Sequence, residues 1–275
     1  MTRSSGAQPA PAPMDEAALL TQGEVSVRGR IRPASNLTFL GEVALDGHSA
    51  GCVYKPVSGE RPLWDFPDGT LARREVAAYV VSEALGWHVV PPTVLREGPL
   101  GPGMVQLWCE PDPTQDPVDL VPEGATPPGY LHVLDALDAT DSAVSLVHED
   151  STPLRRMAVF DALVNNADRK GGHVLAMPDG HRYGVDHGVT FHVDPKLRTV
   201  LWGWADEPLH PDDAEAVAGL GADLADRGSA LVAALEALLH RSEVRALRSR
   251  CDRLLSSGRM PLPSGEWPAI PWPAF

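Results

Sequence analysis

The hydrophobic rhythm of the chain changes partway along. EAALL, following Asp15, has the cap and apolar spacing of a short helix that stops near Gly23. EVSVRGRI alternates with period two, which predicts a strand. LTFLGEVAL and AGCVYKP predict two more strands, joined by an Asp46-Gly47 hairpin turn. TLARREVAAYVVSEALG switches to helical spacing, with Leu71, Val76, Tyr79, Val80 and Leu85 on its apolar side and Gly86 as the stop. WHVVPPTVLREGPLGPGMVQLWCE returns to two strands around a turn.

After residue 109 the pattern becomes helical. EPDPTQDPVDLVPEGATPPG is Pro-rich and acidic, and reads as a boundary between two lobes. YLHVLDALDATDSAVSLV is a weak helix by spacing. PLRRMAVFDALVNNA is a strong one, with Leu154, Met157, Ala158, Phe160, Ala162 and Leu163 as its apolar set. HVLAMP and HRYGVDHG predict a short hairpin turning at Asp179-Gly180, and the stretch from PDDAEAV to RLLSS is helical. MPLPSGEWPAIPWPAF predicts an irregular strap, and residues 1–13 a disordered tail of Ser, Pro and Ala. The expected class is α+β. Residues 14–109 form a small antiparallel β lobe with one long helix, and residues 110–275 a larger, mainly helical lobe.

Composition narrows the partners. The 275 residues carry a net charge of −14, which disfavours a sequence-independent grip on nucleic acid or stable docking on an anionic membrane. No run of about 18 apolar residues is present to span a bilayer, and the first residues lack a continuous apolar signal region. Three cysteines far apart suggest reduced thiols and a cytoplasmic location. Of 23 basic residues only Lys55, Lys170 and Lys196 are lysine. Where Arg is the default cation, each Lys is a candidate for a place that needs a compact ammonium.

Chemistry concentrates in NNADRKGGHVLAMPDGHRYGVDHG, which sets three Asp, two Arg, one Lys and three His among five glycines. Lys55 ends an apolar strand, and Glu75 lies in the first turns of the long helix. A strand Lys paired with a helix Glu can hold a cation against the phosphates of ATP; the plainer reading is a surface ion pair beside Arg73 and Arg74. Ala34-Ser35-Asn36 is a small polar turn whose backbone N–H groups could face a phosphate. Asp168 and Asp186 supply the two carboxylates that phosphoryl transfer needs, one to orient the attacking hydroxyl and one for Mg²⁺. The rival reading takes His173, Asp186, His187 and His192 as a metal-dependent hydrolase site, although no compact ligand pair such as H-E-x-x-H is present. Residues 151–200 hold seven Lys or Arg against five Asp or Glu, a local positive contrast that includes Lys196 and Arg198.

Lys55, Glu75, NNADRKGGHVL and GVDHGVTF, in that order, resemble the atypical kinase superfamily of phosphoinositide 3-/4-kinase-like and HipA-like proteins. Within it they are most similar to an actinobacterial family carrying NNADRKGGH, VDHG and KLRTVLWGW almost as written here. The resemblance runs from about Gly23 to Leu254 and implies a two-lobed kinase fold. It implies a phosphate-binding role for Lys55 with Glu75 as partner, a catalytic role for Asp168, and a metal role for Asp186. It also places Gln106, Leu107 and Trp108 where a hinge strand would meet adenine. Two positions depart from the pattern. His173 stands where the superfamily has a second metal-ligating Asn, and His187 replaces the middle residue of the D-F-G string.

Together these features lead to an ATP-dependent phosphotransferase using Mg²⁺ or Mn²⁺, with Lys55 and Asp168 catalytic and Asp186 with His173 on the metal. Ser35, Asn36, Lys55, Glu75, Gln106, Leu107 and Trp108 would hold the nucleotide. The acceptor is left open, as is another transfer such as adenylylation. A nucleotide-binding pseudokinase is the alternative.

Overall fold

The protein is described here from a computed structural model covering residues 15–32, 35–67, 69–265 and 268–275. The tail expected over 1–13 lies outside the described residues. The Asp15 carboxylate accepts the N–H groups of Ala17 and Ala18 at 3.1 and 3.2 Å, opening α1 (Glu16–Gln22). β1 (Glu24–Arg30), β2 (Phe39–Leu45) and β3 (His48–Pro56) follow as an antiparallel run. Asp46 and Gly47, between β2 and β3, both have positive φ, 49° and 80°, as a two-residue hairpin turn requires. After α2 (Leu71–Ala84), β4 (Thr93–Gly98) and β5 (Gly101–Leu107) complete a sheet of order β1-β2-β3-β5-β4. The Glu60 carboxylate caps α2 by accepting the N–H groups of Leu71 and Ala72 at 3.0 and 2.8 Å.

The segment read as a weak helix is a sheet instead. β6 (Val118–Pro122), β7 (Tyr130–Leu137) and β8 (Ala143–Glu149) pair antiparallel in the order β6-β8-β7. β7 carries an irregularity between His132 and Leu134, where the register against β8 shifts. That bulge breaks the period-two alternation, so Leu131 and Leu134 stand three apart and imitate helical spacing. β6 itself comes from the Pro-rich stretch taken as a boundary, so the larger lobe holds a second sheet besides its helices.

The remaining elements follow the expected order. Ser151 Oγ accepts the Leu154 N–H at 3.3 Å and caps α3 (Thr152–Val164), which ends at Asn165 in the left-handed region, φ 55°. β9 (Val174–Ala176) and β10 (Arg182–Gly184) form the short hairpin. α4 (Pro211–Ala225), α5 (Ala230–Glu236) and α6 (Arg241–Ser257) close the lobe. The residues after α6 strap across it: Ala269 O accepts from Thr199 N and Trp202 Nε1, and Ala274 O from Gly171 N.

One core runs through both lobes. Ala77, Ala78, Val81 and Leu85 of α2 pack with Leu154, Met157 and Phe160 of α3, Leu220 of α4 and Leu247 of α6. A smaller core of Leu19, Leu20, Val43, Cys52, Tyr54 and Val105 lies between α1 and the sheet. α2 therefore packs on both lobes, with Ala72 and Val76 against Met104 of the sheet and its other apolar residues in the helical core. Cys52, Cys109 and Cys251 are free thiols, and no described helix is long and apolar enough to cross a membrane.

Candidate active site

The pleat of β3 decides where Lys55 points. Cys52 and Tyr54 turn into the small core, whereas Lys55, directly opposite Met104 of β5, shares that residue's face toward α2. There Lys55 Nζ donates to Glu75 Oε1 at 2.7 Å and to Asp186 Oδ1 at 2.5 Å. The three side chains come from a strand, a helix and the loop after β10. Glu75 is 2% exposed, and its second oxygen accepts the backbone N–H of His187 at 2.8 Å. Burial works against the Lys55 ammonium, but the Asp186 and Glu75 carboxylates outweigh it and hold the group well above the ordinary lysine range. Lys55 in turn holds the Asp186 carboxyl far below the usual carboxylate range. Burial pushes Glu75 up. Asp186 adopts φ 65°, an uncommon conformation for a non-glycine residue, and its side chain is half exposed.

Asp168 sits on a loop built from beneath. Arg169, fully buried, grips both oxygens of Asp161 on α3 at 2.8 and 2.9 Å. Its other nitrogen donates to the carbonyls of His173 and Val185 at 3.2 and 3.1 Å. One guanidinium thus ties α3, the loop carrying Asp168 and the approach to Asp186. Asn166 accepts the Asp168 N–H at 3.0 Å and donates to Asp161 at 2.9 Å. Gly184 admits this arginine: a Cβ there would lie 2.8 Å from Arg169 Nη2. The Asp168 carboxyl is raised by burial, with Lys170 Nζ 3.6 Å away opposing that shift.

His173 and Asp186 form the pair that can hold a cation. His173 Nδ1 lies 3.0 Å from the Asp168 carbonyl oxygen, which can only accept, so Nδ1 carries the proton. Its Nε2 then presents a lone pair to Asp186 Oδ2 at 3.5 Å. Burial lowers the His173 pKa to about 4, with Asp186 opposing, so the ring is neutral at pH 7. Two acceptors facing each other across that distance fit a shared divalent cation. Among the described residues no group of three or more His, Cys, Asp or Glu gathers as a closed metal cage. An open pair suits a cation that keeps waters and takes phosphate oxygens.

The four residues of the rival hydrolase site do not converge. His187 is buried edge-on against Phe160, and its Nε2 accepts from Arg169 Nη2 at 2.6 Å, which occupies the lone pair a metal would need. His192 packs against Phe66 and bonds the Asp194 N–H.

The remaining candidates are placed as follows. Ala34 lies outside the described residues; Ser35 is exposed, and Asn36 Oδ1 accepts the Arg61 N–H at 2.8 Å, tying its loop to the chain after β3. Gln106 is buried on β5 and donates to Thr93 Oγ1 at 2.8 Å. The N–H groups of Leu107 and Trp108 are bonded to Pro92 O and Gly51 O, both at 2.9 Å, so the sheet already uses the donors assigned to adenine. Lys196 Nζ lies 2.5 Å from Asp65 and over the Trp64 ring, bridging the loop after β3 to the segment after Asp186.

Two residues that organise the site were missed in the sequence. Asp161 is a carboxylate on the apolar side of α3, and Arg74 precedes Glu75; both are buried. A charge at a core position was the available signal for each, since a buried charge requires a partner.

Fold and site define a two-lobed α+β protein in which one lysine is held between two carboxylates contributed by different elements. A protein of Mycobacterium tuberculosis, Rv2133c, is 55% identical over 270 residues, covering 95% of this chain and 96% of its own length; the chain belongs to that protein's family. No protein-family model matches. Among solved structures, the proinflammatory kinase CtkA of Helicobacter pylori covers 88% of this chain and 94% of its own, at a TM-score of 0.42 and 12% identity.

Proposed function

We propose that the protein binds ATP and a divalent cation and transfers the γ-phosphoryl group to a hydroxyl acceptor. The observation that carries this is Lys55 Nζ held at once by Glu75 at 2.7 Å and Asp186 at 2.5 Å. A partly buried ammonium, with one deeply buried carboxylate behind it and one half-exposed carboxylate beside it, is suited to grip phosphate oxygens. In transfer, the acceptor oxygen bonds to the γ-phosphorus as the bond to the bridging oxygen breaks. ADP leaves with that electron pair, and the hydroxyl proton passes to Asp168. The elevated pKa of the Asp168 carboxyl brings it closer to that task.

Asp186 and His173 would hold the cation, which neutralises charge on the phosphates when bound. Lys55 orients the phosphates, Glu75 holds Lys55, and Asp168 receives the proton. Catalysis is then positioning and charge stabilisation, with no covalent intermediate on the protein. Adenine would meet backbone beyond Trp108, because the donors at Leu107 and Trp108 are engaged in the sheet.

Thermal melting with ATP and Mg²⁺ or Mn²⁺ tests the reading. At about 100 times its dissociation constant a ligand adds about 2.7 kcal/mol. The wild type is expected to melt higher with ATP and metal, and Lys55→Ala and Asp186→Asn to lose that shift. No shift with any nucleotide and metal would overturn the assignment. A shift without release of ADP in the presence of hydroxyl acceptors would support a nucleotide-binding regulator instead.

A further inference from the structure

A second candidate site lies behind the segment that follows Asp186. The C-terminal half of α6, the end of α3, residues 193–206 and the chain after α6 enclose a groove of about 1090 Å³. Its walls are largely apolar, formed in part by Leu163, Leu197, Leu254 and Met260, with Leu262 exposed at the rim. That size and lining suit a small organic molecule. One buried cation also lines it: Arg250, only 9% exposed.

Arg250 makes no ion pair; Glu243, two turns earlier on α6, favours its charge but is bonded to Arg74. Its Nε donates to Leu163 O at 2.5 Å and its Nη1 to His192 O at 3.3 Å, both neutral carbonyls. Its Nη2 is buried without any partner. Two carboxylates line the same groove with three arginines, Arg250, Arg253 and Arg259: Asp206 is already paired with Arg259 at 2.8 Å, and Asp252 makes no ion pair with Arg250. Arg253 lines the groove too and adds positive charge beside Arg250. A buried guanidinium satisfied only by carbonyls, with one nitrogen free, calls for an anionic oxygen.

We infer that this groove binds an amphiphilic organic anion, its carboxylate or phosphate head on Arg250 and its apolar body along Leu197, Leu254 and Met260. The groove is separate from the Lys55 site, and the inference does not depend on ATP binding. Its occupant would lie against residues 193–202. The same segment pairs with the loop of Asp168, through Arg198 N to Asn166 O at 2.9 Å and Arg169 N to Arg198 O at 3.0 Å.

The test is thermal melting and titration calorimetry of the full chain with decanoate, decyl phosphate and uncharged decanol. Either anion is expected to bind and raise the melting point, with decanol much weaker, and the stronger of the two separates a carboxylate from a phosphate ligand. Arg250→Met is expected to abolish the preference for the anion, and Arg250→Lys to restore part of it. Leu262→Glu, an exposed rim substitution that leaves folding intact, is expected to weaken anion binding and answers the question if Arg250→Met fails to fold. The inference is overturned if neither anion binds, if decanol binds equally well, or if neither Arg250→Met nor Leu262→Glu changes affinity.

Discussion

His173 shows how one ring can be read through its two nitrogens. With Nδ1–H committed to a backbone carbonyl, only Nε2 can ligate, and a neutral imidazole suits Mn²⁺ better than Mg²⁺. Mn²⁺ with ATP should therefore shift the melt more than Mg²⁺ with ATP, and His173→Asn, which offers an oxygen, should narrow that gap. The pH dependence follows from the same burial. The folded ring titrates near 4, below the ordinary value of about 6.5, so the unfolded chain binds its proton more readily. Its contribution to stability is complete above about 6.5, falls as pH drops toward 4, and is constant below. Urea unfolding between pH 7 and pH 4 should show a smaller loss of stability in His173→Asn than in the wild type. Asp186 is separable: its lowered carboxyl contributes above the ordinary Asp value and loses that contribution only at lower pH. Gly184→Ala tests the neighbouring arginine. The new Cβ would press on a guanidinium pinned by Asp161, and a cost of about 1–3 kcal/mol is expected as a lower urea midpoint with an unchanged slope.

Among the elements, α2 bears the most consequence. Arg74, one residue before Glu75, donates to Glu243 of α6 at 2.7 Å and to Thr190 O at 2.6 Å, with its guanidinium over Phe66. These contacts clamp the helix that presents Glu75 to the opposite lobe. Arg74→Met should cost about 3 kcal/mol, because it leaves the Glu243 carboxylate largely buried without its partner. If the clamp also positions Glu75, the variant will bind ATP more weakly in calorimetry at a temperature where it remains folded. Unchanged affinity would make Arg74 a purely structural residue. The sheet elements teach a different lesson. β1 to β5 were legible because β1 alternates and the others are short apolar runs set off by turn signals. β7 was not, because its bulge replaces alternation with a spacing of three, which local sequence cannot tell from a helix.

For the whole molecule, the shared core predicts how it unfolds. Since α2 packs into the same apolar cluster as α3, α4 and α6, the lobes should not melt separately. Calorimetry is expected to show one transition, with van't Hoff and calorimetric enthalpies in agreement. Two resolved transitions would mean that the small sheet and its own core unfold independently. ATP and metal should raise that single transition as a unit, because Lys55 of the small sheet and Asp186 of the larger lobe are paired in one site.

What the sequence determined by itself was local. Period-two and helical spacing, the Asp46-Gly47 turn and the cap at Asp15 are written in neighbouring residues. The rarity of lysine and the density of charge around Asp168 and Asp186 could be read the same way. Tertiary structure decided which of those groups meet. Lys55 and Asp186 are 131 residues apart, and only the pleat of β3 and the docking of α2 bring them to 2.5 Å. It also decided that Arg169 and Asp161 form a buried pair, that His187 faces inward, and that Arg250 keeps a buried nitrogen without a partner. Burial and pairing depend on groups far away in the chain, so no window of sequence contains them.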